Sequence, residues 1–78
     1  MTNLEKYNAA FCETLNVEEA KLAGLKYQDI PEWDSVGHMS LVAAIEDAFD
    51  IMMETDDIID LSSYAKGKEI LKKYDVEI

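Results

Sequence analysis

Residues 31–51 read PEWDSVGHMSLVAAIEDAFDI, and this stretch decides how the chain folds. Pro31 disfavours helix at Ile30. Asp34 or Ser35 can then accept hydrogen bonds from the unpaired N–H groups of a first turn. The stretch therefore predicts a helix that opens at one of these two residues and runs to about Asp50. At roughly 100° per residue, Leu41, Val42, Ile45, Ala48 and Phe49 fall on one side, the spacing of a buried stripe. Nearly opposite lie Val36, Met39 and Ala43, with Glu46, Asp47 and Asp50 further along. An apolar row flanked by carboxylates reads as a docking surface. The plainer alternative is that Val36 and Met39 cover loop residues such as Trp33.

Towards the N-terminus, Thr2 and Glu5 stand at capping-box spacing. Leu4, Tyr7, Phe11 and Leu15 follow at steps of three and four, which predicts an amphipathic helix with these four in the core, ending near Asn16. Residues 16–34 form a long loop: VEEAKLAGL is long enough for one helical turn before Gly24 interrupts it. Leu22, Leu25, Tyr27, Ile30 and Trp33 pin that loop to the core. Beyond the central helix, TDDIIDL predicts a short element capped by Thr55 or Asp56, with Ile58, Ile59 and Leu61 inward. A last helix starts at Ser62 or Ser63 and carries Tyr64, Ile70, Leu71 and Tyr74, with Lys72 and Lys73 near its end, where cations suit the dipole. Gly67 marks close packing. No segment alternates like a strand, and no repeat or flexible linker divides the chain. The expected fold is all-α, one domain over residues 1–78, a small antiparallel bundle of three main helices plus one short helix.

With 78 residues the core is modest and a deep active-site cleft is not expected. Seventeen acidic residues against seven lysines give a net charge of −10, which repels nucleic acid and anionic membranes and favours basic protein partners. A hydrophobic share of 49% supports a folded core with the acidity on its surface. The start, MTNLEKYN, has no signal-peptide pattern, and no apolar run is long enough for a membrane span, so the expected location is the cytoplasm. Cys12 is the only cysteine, expected as a buried or half-buried thiol without a metal site around it.

Ser35 has three readings. From helix-terminus chemistry alone it is an N-cap. A hydrolytic nucleophile served by His38 is the weakest: His38 is the only histidine, points nearer the core stripe, and no G-x-S-x-G turn surrounds the serine. His38 reads instead as a structural residue that bonds a loop carbonyl. Asp56, Asp57 and Asp60 lack the spaced ligands and glycine of a calcium loop and read as solvated carboxylates.

The third reading comes from a resemblance. WDSVGHMSLVAAIEDAFDI, with its Asp-Ser dipeptide, apolar-and-acidic helix and Glu46-to-Phe49 segment, resembles the acyl carrier proteins and the related peptidyl carrier domains. The order of elements and the length extend the resemblance over nearly the whole chain. It implies that Ser35 is no catalyst but the attachment point of 4′-phosphopantetheine, delivered from coenzyme A by a magnesium-dependent phosphopantetheinyl transferase. Asp34 would help that transferase recognise the serine. The arm's thiol would carry acyl groups as thioesters. Val36, Met39, Ala43, Glu46 and Asp47 would meet the basic surfaces of loading ligases and acyl-transferring or synthase enzymes, with the carrier a monomer. Fatty-acid, polyketide, lipid or surface-polysaccharide assembly are the pathways such a carrier serves. Four positions depart from the housekeeping fatty-acid carriers: Val36 replaces leucine, Gly37 and His38 replace an acidic and a hydroxyl residue, and Ser40 stands where glutamate is frequent. The competing expectation is a helical interaction module of the same fold that is never modified.

Overall fold

The computed structural model describes residues 2–78. Helix α1 spans Asn3–Leu15. The Thr2 hydroxyl accepts the Glu5 N–H and the Glu5 carboxylate accepts the Thr2 N–H, so the predicted capping box forms. Asn16 ends the helix in the left-handed conformation. Tyr7, Phe11 and Leu15 are fully buried, but Leu4 is 40% exposed. Leu4 stands in the first turn, one turn short of the core, so the expected stripe loses its first member.

A single 3-10 turn, Glu19–Lys21, interrupts the long loop that follows. Leu22, Leu25 and Trp33 anchor the loop in the core, while Tyr27 and Ile30 are half-buried against it. Helix α2 spans Ser35–Phe49 and closes on a left-handed Asp50. Leu41, Val42 and Ile45 are buried as predicted. Ala48 and Phe49 are only half-buried, because the last turn of α2 passes the edge of the core.

Helix α3 covers Thr55–Asp60 and starts at Glu54, without a side-chain cap. Three expectations fail here, the first being the cap, which neither Thr55 nor Asp56 supplies. Ile59 points outward, 72% exposed, and Asp57 is buried. The cause is a polar clasp: Asp57 accepts hydrogen bonds from the Lys73 ammonium and from the Tyr74 hydroxyl, and that hydroxyl accepts the Glu54 N–H. Six residues make too little of a helix for an apolar stripe to set its rotation, so a charged anchor does so. The clasp keeps the Asp57 carboxyl below its ordinary range, chiefly through the Lys73 bond.

Helix α4 spans Tyr64–Lys72, capped by the Ser63 hydroxyl on the Lys66 N–H. Tyr64, Ile70 and Leu71 are buried, and Tyr74, beyond the helix end, is half-buried. Gly67 is where the Tyr7 side chain of α1 reaches α4: a Cβ there would come within 2.1 Å of the Tyr7 hydroxyl. That hydroxyl donates to the Tyr64 carbonyl at 2.5 Å, and the Tyr64 hydroxyl donates to the buried Asn8 side chain. Every polar atom in this contact has a partner, as burial requires, and burial pushes both tyrosine hydroxyls above their ordinary range.

The buried residues form one cluster. At its centre Phe11 meets Tyr7, Tyr64 and Trp33 with ring centroids 4.9, 5.3 and 5.6 Å away, the edge-on arrangement that aromatic quadrupoles favour. The described residues hold four α-helices and no strand, with one isolated bridge between Lys26 and Ser63. Among them no helix is long and apolar enough to cross a membrane.

Candidate functional site

The head of α2 answers which of its two candidates caps the helix. Asp34 has extended backbone angles, its carboxylate accepts the Gly37 N–H at 2.8 Å, and its carbonyl accepts the His38 N–H at 2.7 Å. Asp34 is therefore the N-cap and Ser35 the first helical residue. Ser35 is exposed, and its hydroxyl has no capping duty. The Tyr27 hydroxyl stands 3.4 Å away, longer than an ordinary O–H···O bond. The amides of Ser35 and Val36, at the head of the helix, have no intrahelical carbonyl to bond, so an anion on the serine oxygen would meet N–H groups and the positive end of the dipole.

Gly37 has a steric reason. A Cβ at this position would lie 1.9 Å from the Glu32 carbonyl oxygen. The preceding loop rests directly on the first turn of α2, and only glycine leaves room for it.

His38 holds this corner together. The Trp33 indole donates to Nδ1 at 3.0 Å, and Nε2 lies 2.7 Å from the Ile58 carbonyl. An indole N–H can only donate, so Nδ1 accepts and Nε2 carries the proton that goes to Ile58. The two rings lie nearly parallel, 14° apart. His38 thus bonds a main-chain carbonyl, but that carbonyl belongs to α3, one of those a helix end leaves unpaired, and not to a loop as expected. With both ring nitrogens engaged, His38 has none to offer Ser35 as a general base.

A surface groove of about 380 Å³ begins at Ser35, bounded by Tyr27, His38 and Met39 on one side and Ile58, Ile59 and Leu61 on the other. Tyr27 and Ile59 are the additions here. Nothing in the α3 sequence signals that Ile59 faces out, because the Asp57 clasp that turns the helix joins residues far apart in sequence.

Along the outer face of α2, Val36 and Met39 are 76% and 55% exposed, and Ala43 and Asp47 are exposed too. Both keep most of their surface open, while Trp33 is fully buried. Met39 borders the groove toward α3, whereas Asp47 borders a second groove, about 530 Å³, against Lys6, Ala9 and Glu13 of α1. The row is therefore split between two flanks. Glu46 departs further: it is half-buried and its carboxylate accepts the Met53 N–H at 2.8 Å, tying down the chain after α2. The half-buried Cys12 thiol is pushed up first by burial and then by Glu19 and Glu13, away from a reactive thiolate. Among the described residues, no three His, Cys, Asp or Glu side chains are placed to hold a metal ion. Compared with family models, curated proteins and solved structures, the chain matches none.

Proposed function

We propose that the chain is an acyl carrier, modified on Ser35 with 4′-phosphopantetheine, and that its helices form the small antiparallel bundle of such a carrier. The observation that carries this reading is the division of labour at the head of α2: Asp34 caps the helix, leaving the Ser35 hydroxyl exposed and unused beside free amides. Ser35 Oγ would attack the pantetheine-side phosphorus of coenzyme A. An Oγ–P bond forms, the P–O bond of the pyrophosphate breaks, adenosine 3′,5′-bisphosphate leaves, and the hydroxyl proton passes to the transferase. Bound, the arm supplies a thiol that holds an acyl group as a thioester, and one tether then serves several enzymes at high effective concentration.

The other residues take roles around this step. Asp34, fixed by its bond to Gly37, presents a second carboxylate oxygen that the transferase and its magnesium ion can read. Val36, Met39 and Ala43 offer the apolar contact, and Asp47 with the net charge of −10 attracts basic partner surfaces. Glu46 supports this face structurally through Met53. The carrier is itself no enzyme: with His38 bonded at both nitrogens, Ser35 lacks the base a hydrolase needs. The proposed setting is the cytoplasm, as a monomer.

The test is incubation with coenzyme A and several phosphopantetheinyl transferases, followed by intact mass and peptide mapping. A phosphopantetheine gain on the peptide containing Ser35 is expected. An unchanged mass with all of them would leave the unmodified interaction module as the better account.

A further inference from the structure

We infer that the acyl group this chain carries is short or polar, and that it stays outside the helical interior, in the groove between Tyr27, Met39 and Ile59. The inference rests on the carrier reading and concerns what Ser35 would hold.

The interior beneath Ser35 is already filled. Trp33, two residues before the serine, is fully buried with its ring 5.6 Å from Phe11, and Phe11 lies 5.3 Å from Tyr64, so aromatic rings run unbroken from the head of α2 to α4. Between α2 and α3 the way inward is also barred. The Trp33 indole bonds His38, and His38 bonds the Ile58 carbonyl, two hydrogen bonds in series from loop to α2 to α3. An alkyl tail threading inward would have to part this bar and leave a buried indole N–H and a carbonyl without partners, which protein interiors avoid. It would also have to displace close-packed rings.

A tail that cannot enter remains in water, where each added methylene weighs against it by about fourfold in partition. The space left to it is the surface groove. Its 380 Å³ lies near the lower end of the range of roughly 300–1,000 Å³ typical of small-molecule sites. Met39, Ile58, Ile59 and Leu61 bring apolar side chains to its lining, and Tyr27, Ser35, His38 and Ser62 bring polar ones. That combination suits an acyl group of a few carbons, or one bearing a hydroxyl or amino group, and does not suit a long alkyl chain.

The chain contains its own probe, since Trp33 is the only tryptophan and forms part of the bar. Ser35 is loaded from acetyl-, butanoyl-, octanoyl- and dodecanoyl-coenzyme A by a phosphopantetheinyl transferase, with intact mass checked for each product. Melting temperature, Trp33 emission and the rate of thioester cleavage by hydroxylamine are then measured. All three are expected to stay level from acetyl to dodecanoyl. A melting temperature that climbs with tail length, a shift of Trp33 emission with the longer tails, or their protection from hydroxylamine would overturn the inference while leaving the carrier reading intact. Absence of any mass gain at Ser35 would overturn both.

Discussion

Two helices in this chain open on a pair of short polar residues, Asp34–Ser35 at α2 and Ser62–Ser63 at α4, and the two pairs behave differently. At α4 the Ser63 hydroxyl accepts the Lys66 N–H at 3.0 Å, the Ser62 carbonyl accepts the Tyr27 N–H at 2.9 Å, and the Tyr64 N–H goes to the Leu25 carbonyl. The start of α4 is stitched to the long loop, and its capping serine is fully occupied. At α2 the aspartate takes the cap one residue earlier, and the serine is left with a hydroxyl that no cap uses and that only the Tyr27 hydroxyl approaches, at 3.4 Å. A serine at a helix start is thus uninformative alone; which neighbour caps the helix decides whether its oxygen is free for chemistry.

The largest effects expected from probing this contrast come from the glycine inside each first turn or just beyond it. Gly37→Ala must push the Glu32 main chain, and Gly67→Ala must push the buried Tyr7 hydroxyl. Overpacking of this kind typically costs about 1–3 kcal/mol. Denaturant melts should show both losses. Only Gly37→Ala should also slow modification of Ser35, because the displaced loop carries Asp34. Equal modification rates for the two variants would separate the loop from the site.

The caps come next. Asp34→Ala and Ser63→Ala should each lose about 1 kcal/mol, the usual cost of removing an N-cap. Ser35→Ala should stay within about 0.5 kcal/mol of the parent, as a surface change does whose nearest partner, the Tyr27 hydroxyl, stands 3.4 Å off. If Ser35→Ala were as destabilising as Ser63→Ala, the serine would be a second cap and the contrast would collapse.

The far end of α4 gives a pH signature. The Asp57 carboxyl is held low, first by Lys73 and then by Tyr74. Its contribution is therefore complete above the unfolded aspartate value of about 3.9 and is lost as pH falls through the lower folded value. The melting temperature should drop on acidification below about pH 4. Asp57→Asn should lower it at neutral pH and blunt that acid drop. A variant that matched the parent at pH 7 would mean the clasp does not hold α3.

The smallest effect concerns charge on the outer face. Asp47→Lys should leave circular dichroism unchanged and slow arm transfer to Ser35 at low salt, with the deficit shrinking as salt screens the approach. Reversing Glu46 as well would confound the result, because its carboxylate holds the Met53 N–H. No change in rate at low salt would remove Asp47 from the docking face.

Much of this was legible in the sequence where the signal is local. The Thr2–Glu5 box, the Leu41, Val42 and Ile45 stripe, a serine cap at Ser62 or Ser63 and the Gly67 contact each follow from spacing or from one residue's chemistry. What failed depends on contacts between distant residues. Asp57 is buried by Lys73 and Tyr74, and that bond turns Ile59 outward. Leu4 and Phe49 sit at helix ends, where periodicity continues but the core does not. At the candidate site, the sequence left the cap open between Asp34 and Ser35, since both residue types cap well and only the backbone angles distinguish them. His38 was legible as a carbonyl partner, but its second bond to Trp33 was not.

The central claim, that the fold leaves the Ser35 hydroxyl free for modification, is tested most directly by treating the parent, Ser35→Ala and Ser63→Ala side by side with coenzyme A and a phosphopantetheinyl transferase, and reading intact mass. The account predicts a phosphopantetheine gain in the parent and in Ser63→Ala, and none in Ser35→Ala while its circular dichroism stays that of the parent. A gain that persists in Ser35→Ala, or a parent whose mass does not change, would contradict it.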